Sequence, residues 1–280
     1  MNANLPQKTL AISQWLREAT GELKAIGIDS ARLDAEIILA HTIRKSRTFL
    51  HAHPDSDLSP RHVEIADSRL QLRIDRTPIA YIVGHKEFYG RLFRVTPATL
   101  IPRPESETII TIIKEVASSH IDPLKITDVG TGSGCLGITA KLEIPNSTVY
   151  LTDISHHALK VAEANANHLG ADVEIQRGNL LLDFTDPSID IIIANLPYVS
   201  RSWERSPETN YEPAQALFAD NNGLALIEKL IPQATSLLST SGHLLLEADP
   251  KQHATIITIA KDNGFTVKEI RDFIIWLTKD

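Results

Sequence analysis

Two short stretches carry the side chains with chemistry to offer. The first is Asn195-Leu196-Pro197-Tyr198, which closes the apolar run Ile189 to Ala194. The side-chain oxygen of Asn195 and the main-chain carbonyl of Leu196 are adjacent acceptors, and each can take one N–H of a planar NH₂ group. Such a nitrogen is a poor nucleophile because its lone pair is delocalised. Two fixed acceptors would orient it and stabilise positive charge developing on it. Pro197 fixes its own φ and pushes Leu196 toward an extended conformation, which holds that carbonyl in place. Tyr198 is expected to cover the planar group with its ring. A lone tetrapeptide of this kind also reads as no more than a strand end followed by a loop.

The second stretch is Asp128-Val129-Gly130-Thr131-Gly132-Ser133-Gly134. Glycines at Gly130, Gly132 and Gly134 let the backbone turn sharply and approach a bound ligand without Cβ interference. Asp153 follows about 20 residues on, where a carboxylate can accept from both hydroxyls of a ribose. The competing structural reading is a tight turn with Asp153 capping the next helix. Gly132 to Gly137 also satisfies the dinucleotide pattern G-x-G-x-x-G, a weak match by itself. A dinucleotide needs an amide-rich helix start for its pyrophosphate. S-adenosyl-L-methionine has no phosphate and carries a positive sulfonium and amino group, which the acidic Asp128 at a strand end suits better. The glycine run begins two residues after that acid. The expected cofactor is therefore S-adenosyl-L-methionine, with an NAD-dependent oxidoreductase as a competing reading and no metal.

These stretches require elements that hold them together. From about Pro104 the chain alternates strand and helix. A helix across Glu105 to Ser119 is followed by strands in KITDVG, TVYLTDIS, VEIQRG, IDIIIAN and GHLLLEA, then FTVKEIRD and FIIWLTK as a terminal hairpin. That order predicts an α/β fold with a mostly parallel sheet covered on both faces. Before it, apolar residues from Leu10 to about Arg76 recur at helical spacing, as in Ile12, Trp15, Leu16 and in Leu33, Ile37, Ile38, His41. Asp29 or Ser30 and Ser59, the latter before Pro60, are the expected helix caps. AYIVGHKEFYGRLFRV reads as two short strands about Gly90. The predicted organisation is a helical domain over 1–76, a β-hairpin linker over 77–103 and a catalytic domain over 104–280.

Composition bounds the partners. At 280 residues, 42% hydrophobic and 22% charged, the chain can bury one large core and a smaller one. No apolar run approaches the roughly 20 residues of a membrane span, and the start MNANLPQKTLAISQW lacks the order of a signal peptide, so a cytoplasmic location is expected. The single cysteine, Cys135, permits no internal disulfide. It is expected to pack as a small apolar residue at a helix start. The histidines of HAH (51–53) and HH (156–157) read as exposed helix-end or loop residues. A formal charge of -7 gives no overall pull toward nucleic acid. Arg44-Lys45-Ser46-Arg47 and Arg69, Arg73 and Arg76 are read as a solvated helix face, with a docking surface as the alternative.

In company these motifs resemble a known family. D-x-G-x-G-x-G, an acid after the second strand and N-x-P-Y after the fourth are the ordered motifs of class I methyltransferases acting on planar nitrogens. RTPIAYIVGHKEFYGRLFRVTPATLIPRPESE, GIDSARLDAEIILAH and YEPAQALFADNNGLALIEKLI further resemble the linker, helical domain and post-loop segment of the release factor glutamine methyltransferases, the PrmC or HemK family. The resemblance covers nearly the whole chain. It implies a Rossmann-like class I methyltransferase domain with a mostly parallel seven-stranded sheet, preceded by a small helical-bundle domain and a β-hairpin linker. It also implies methyl transfer from S-adenosyl-L-methionine, leaving S-adenosyl-L-homocysteine, to the side-chain N5 of the glutamine in the Gly-Gly-Gln motif of class I peptide chain release factors. Asp128, Gly130, Thr131, Gly132, Ser133, Gly134 and Asp153 would hold the cofactor, Asn179 and Leu180 would flank its adenine, and Asn195 would face both ligands. Asn195, Leu196, Pro197 and Tyr198 would bind the glutamine amide and serve catalysis. A monomer is expected, with neither a membrane nor a nucleic-acid substrate.

The chain departs from the family pattern in places. Leu196 stands where the first of two prolines is usual, so one rigid φ is lost. Asn179 stands where an acid is common, and RDFIIWLTKD lacks the family's glycine and arginine ending. The alternatives are a glutamine methyltransferase for a ribosomal protein, an adenine-N6 nucleic-acid methyltransferase and a catalytically weak binding protein. IPRPESE is expected to shape a wall rather than perform chemistry, with Glu105 or Glu107 capping the next helix.

Overall fold

The structure is a computed structural model that describes residues 10–184 and 188–280. The stretch read above for a signal peptide lies, up to residue 9, outside the described residues. The chain forms two compact units, residues 1–84 with 206–211, and residues 85–205 with 212–280.

The first unit is helical. It contains α1 (Ile12–Ala25), α2 (Ala31–Ile43), α3 (Arg47–Ala52), α4 (Pro60–Ile74) and α5 (Ile79–Val83). One two-residue antiparallel pairing, β1 (Leu10–Ala11) with β2 (Asp57–Leu58), ties the start of α1 to the start of α4. Its core is built from Ile12, Trp15, Leu16 and Leu23 of α1, Ala35, Ile38 and Leu39 of α2, and Ala66 and Leu70 of α4. Ser59 caps α4 by accepting from the backbone N–H of His62, with Pro60 in the first turn. Ser30 precedes α2 without a side-chain capping bond. The buried stripe of α2 runs through Asp34, Ala35, Ile38 and Leu39, whereas Leu33 is exposed, so the apolar spacing located the helix but misplaced one of its inward residues.

Two further expectations are corrected in this unit. The segment expected to begin the hairpin is helical over Ile79–Val83 and ends on Gly84 in the left-handed region, φ 78°, so the helical unit runs to Gly84 rather than to residue 76. Arg69, Arg73 and Arg76 do not form a solvated face. Arg73 is buried, its Nε 2.7 Å from Asp34 and its Nη1 3.1 Å from Glu208, while Arg69 donates to Thr42 and Arg76 to Glu208 and the Ile26 carbonyl. Arg44, Lys45, Ser46 and Arg47 are exposed, as expected, and Arg47 also pairs with the buried Glu36 at 2.7 Å.

The second unit opens with the hairpin β3 (His85–Phe88) and β4 (Arg91–Arg94), turning through Tyr89 and Gly90 at positive φ. After a 3-10 turn at Pro104–Ser106 comes α6 (Glu107–Ser118), whose Ile109, Ile110, Ile112, Ile113 and Val116 are buried. Neither Glu105 nor Glu107 caps it by a side-chain bond; Glu107 accepts instead from the backbone N–H of Tyr89 at 2.9 Å. The sheet strands are β5 (Lys125–Val129), β6 (Thr148–Asp153), β7 (Glu174–Arg177), β8 (Ile189–Ala194), β9 (Leu238–Glu247), β10 (Phe265–Arg271) and β11 (Ile274–Lys279). Between them run α7 (Cys135–Glu143), α8 (His156–Leu169), α9 (Ala214–Leu217), α10 (Ala225–Leu237) and α11 (His253–Asp262).

The sheet order is β10-β11-β9-β8-β5-β6-β7, with β5 to β9 parallel and β11 antiparallel to both its neighbours. This is the expected mostly parallel, seven-stranded sheet. The two faces are buried by separate clusters, one including α6, α7 and α8 and the other including α10 and α11. β8 lies in the middle, and Ile189, Ile191, Ile192 and Ile193 are fully buried. Each such side chain is worth roughly 1.5–3 kcal/mol when removed from water. The strand is thereby fixed in register, and the first polar residue after it, Asn195, must emerge at the carboxyl edge.

Candidate active site

From β5 the chain moves to β6 and β7 on one side, then returns to place β8 on the other side. The order therefore reverses between β5 and β8, the switch point at which open α/β sheets hold their ligands. Val129 pairs with Ala194 across these strands, so the glycine loop and Asn195 leave the sheet level with one another. A cleft of about 1030 Å³, counting its open mouth, lies there.

The glycine loop forms the floor. Gly130, Gly132 and Gly134 have φ of 71°, 57° and 82°, the left-handed region. The backbone N–H groups of Gly130 and Thr131 both donate to the carbonyl of Thr152, at 2.8 and 3.0 Å. Asp128 is buried and braces the loop: its Oδ2 accepts from Thr131 Oγ1 at 2.6 Å and from the Gly137 N–H at 2.9 Å. Burial pushes its carboxyl up to about 6, against the lowering effect of those bonds. Asp153 accepts from the Gly132 N–H at 2.9 Å and the Ser155 N–H at 2.8 Å, and burial raises its carboxyl too. The cap of α8 is Ser155 rather than Asp153. Cys135 opens α7 beside the loop, and burial pushes its thiol up to about 12.

Of the residues singled out in the sequence, Asp128, Gly130, Thr131, Gly132, Ser133, Asp153, Asn179, Leu180, Asn195, Leu196 and Pro197 line this one cleft. Gly134 sits just below, at the start of α7, where a Cβ would meet Ile138 and Ala162. Leu180 has φ 54° and Asn179 is exposed. Leu196 is buried, and one of its methyls lies 2.9 Å from where a Cβ on Gly130 would stand. The leucine thus packs onto the glycine loop, so the two motifs touch. Tyr198 does not line the cleft. Its hydroxyl donates to Glu247 Oε1 at 3.3 Å and its ring packs against the core beside α10. Burial and the neighbouring carboxyl raise its phenol.

Several residues that fix the loop were not singled out. Ser106 Oγ donates to Glu247 Oε2 at 2.5 Å and accepts from Asn195 Nδ2 at 3.1 Å. Gln252 Nε2 donates to the carbonyls of Tyr198 and Asn222, each at 2.8 Å. Gly223, φ 87°, allows that approach; a Cβ there would stand 1.9 Å from the Tyr198 carbonyl oxygen. Glu212 takes the Ile101 N–H at 3.0 Å and Arg103 Nη2 at 2.5 Å, pinning the turn that carries Ser106. Glu247 did have a sequence signal. It closes the apolar run of β9, an acid where the strand reaches the carboxyl edge.

The cleft fits S-adenosyl-L-methionine: glycines leave room against its floor, two carboxyls stand at strand ends, and Leu100, Leu136 and Leu180 offer apolar wall. The sheet order and this cleft define a Rossmann-like class I methyltransferase domain, and the Methyltransferase small domain family matches residues 112–269. The PrmC N-terminal domain family matches residues 14–84. The release factor glutamine methyltransferase of Coxiella burnetii is 34% identical over 94% of each chain. The chain belongs to the release factor glutamine methyltransferase family. It is also 34% identical to the bifunctional methyltransferase of Rickettsia bellii, over 93% of this chain and 52% of that protein. It therefore spans about half the length of such relatives. A methyltransferase from Pyrococcus furiosus shares the fold, with a TM-score of 0.51 and 17% identity over 76% of this chain and 95% of that one.

Proposed function

We propose that this protein methylates the side-chain N5 of the glutamine in the Gly-Gly-Gln motif of class I peptide chain release factors, in the cytoplasm. The observation that carries the reading is the pair of acceptors after β8, where Asn195 and Leu196 line the same cleft as the glycine loop. Family membership and the glycine-floored cleft support it further.

S-adenosyl-L-methionine supplies the electrophilic methyl. Gly130, Thr131, Gly132 and Ser133 would hold it from below, Asp128 would face its positive end, Asp153 would take the ribose hydroxyls, and Asn179 and Leu180 would flank the adenine. Asn195 Oδ1 and the Leu196 carbonyl each accept one N–H of the glutamine amide, which holds the nitrogen planar and turns its face toward the methyl. Both acceptors gain strength as positive charge grows on nitrogen, and this differential lowers the barrier. Transfer would make the N–C bond as the sulfonium S–CH₃ bond breaks and S-adenosyl-L-homocysteine leaves, and the amide nitrogen would then lose one proton to solvent. Leu196 acts through its carbonyl, so a leucine serves where the family commonly has proline, with Pro197 and side-chain burial keeping it aimed. Tyr198 supports the loop through Glu247. The helical unit is read as the docking unit for the release factor.

Purified protein incubated with labelled S-adenosyl-L-methionine should label a release factor but not its Gly-Gly-Gln Gln-to-Ala variant. Equal label on both would overturn the reading. Asn195→Ala should abolish transfer while cofactor affinity, measured by calorimetry, changes less than about threefold, because the residue's main contact is with the acceptor amide.

A further inference from the structure

A carboxamide presents an oxygen on one side and an NH₂ on the other, and catalysis of the proposed kind works only if Asn195 turns its oxygen toward the substrate. The neighbours of Asn195 decide which way it faces. Glu247 closes β9 and is 2% exposed. Burial raises its carboxyl, and the hydrogen bonds it accepts work against that: Ser106 Oγ donates to it at 2.5 Å, the Tyr198 hydroxyl at 3.3 Å, and the Asn195 side chain donates as well. An ionised carboxylate accepts only. Ser106, also 2% exposed, has one hydroxyl proton and spends it on Glu247, so toward Asn195 it offers only a lone pair. The Asn195 side chain must therefore direct Nδ2 at Ser106, as it does at 3.1 Å, and Oδ1 points away from that pair.

We infer that Ser106 and Glu247 are positioning residues, a one-way hydrogen-bond relay that holds the Asn195 carboxamide with its oxygen presented to the substrate amide. The relay also ties three chain segments distant in sequence: the turn before α6, the end of β9 and the loop after β8. Tyr198 hangs on the second oxygen of the same carboxylate, so both ends of the Asn195–Tyr198 loop are fixed by one buried acid. The inference rests on the proposed reading of Asn195.

Substitutions separate the relay from mere packing. Ser106→Ala removes the lone pair. Glu247→Gln gives one acceptor where two are used, and its NH₂ facing Ser106 would reverse the relay. Each should lower kcat by roughly 10-fold or more, with KM for the release factor and cofactor affinity within about threefold of wild type. Ser106→Thr keeps the hydroxyl and should restore most of kcat. The double variant Ser106→Ala/Glu247→Gln should be no slower than the worse single variant, since the groups act as one unit. Full kcat in Ser106→Ala, equal damage in Ser106→Thr, or multiplicative losses in the double variant would overturn the inference.

A second measurement does not depend on turnover. In ¹⁵N NMR of the cofactor-free protein, the Asn195 side-chain NH₂, assigned as the pair of signals missing in Asn195→Ala, should exchange slowly with solvent. Its protection should fall at least 10-fold in Ser106→Ala. Unchanged protection would overturn the relay. If wild type labels no release factor, the functional reading fails, and the NMR result alone decides the relay.

Discussion

Asp128 braces the loop, and in the proposed function it has a second task that pulls in the opposite direction. Its carboxyl braces the glycine loop through Thr131 and Gly137, and it lines the cleft where a positive ligand group would lie. Burial raises its folded pKa from 3.8 to about 6. Between those values the folded protein binds the extra proton, so stability falls as pH rises from about 4 to 6 and stays lowered above it. Asp128→Asn keeps an acceptor for both loop donors and removes the charge. Thermal or denaturant unfolding at pH 8 should show the variant more stable by on the order of 2 kcal/mol, with the gain vanishing below pH 4. The same variant should bind S-adenosyl-L-methionine more weakly, the usual opposition between stability and function. Gly223 is the converse case, outside the cleft lining but intolerant. Gly223→Ala would force a Cβ into the Tyr198 carbonyl at φ 87°. It should cost about 2 kcal/mol or more by denaturant melts and also lower turnover, because Tyr198 and the loop before it must shift.

Elements with a strong period were legible in the sequence, and contacts between distant elements were not. β8 and the second half of β9 are short apolar runs, β5 and β6 carry apolar residues between turn residues, and the glycine loop and NLPY stand at the carboxyl ends of β5 and β8. Their order alone placed most of the cleft. Residues 79–83 misled, because the apolar run Ile79-Ala80-Tyr81-Ile82-Val83 has strand composition and is closed into a helical turn by Gly84. Ser106, Gln252 and Glu212 were missed because each acts on a partner roughly 50–110 residues away, a distance no local pattern reports. The same limit hid a weak point in β5. The Thr127 hydroxyl is buried without a hydrogen-bond partner, on a strand otherwise made to be covered on both faces. Thr127→Val replaces it by a methyl of like shape and should raise stability by about 1 kcal/mol, read as a higher denaturant midpoint at unchanged slope.

At the scale of the whole molecule, the helical unit and the sheet unit have separate cores, one centred on Trp15 and Leu39, the others on the two faces of the sheet. Among the described residues no helix is long and apolar enough to cross a membrane. The whole chain has one cysteine, and it stands at the cofactor cleft. Since the thiolate is the reactive form, burial and the neighbouring Asp128 carboxyl, which push the Cys135 thiol up, should make it react with a disulfide reagent at pH 8 roughly 10-fold or more slowly than an unfolded cysteine. A stopped-flow trace with and without denaturant would show the difference, and reaction at the unfolded rate in buffer would refute it. That chemical silence has a practical side. Two cysteines introduced, one on an exposed face of each unit, would take a fluorophore or spin label well before Cys135, so distances between the units could be tracked as ligands bind without first removing the native cysteine.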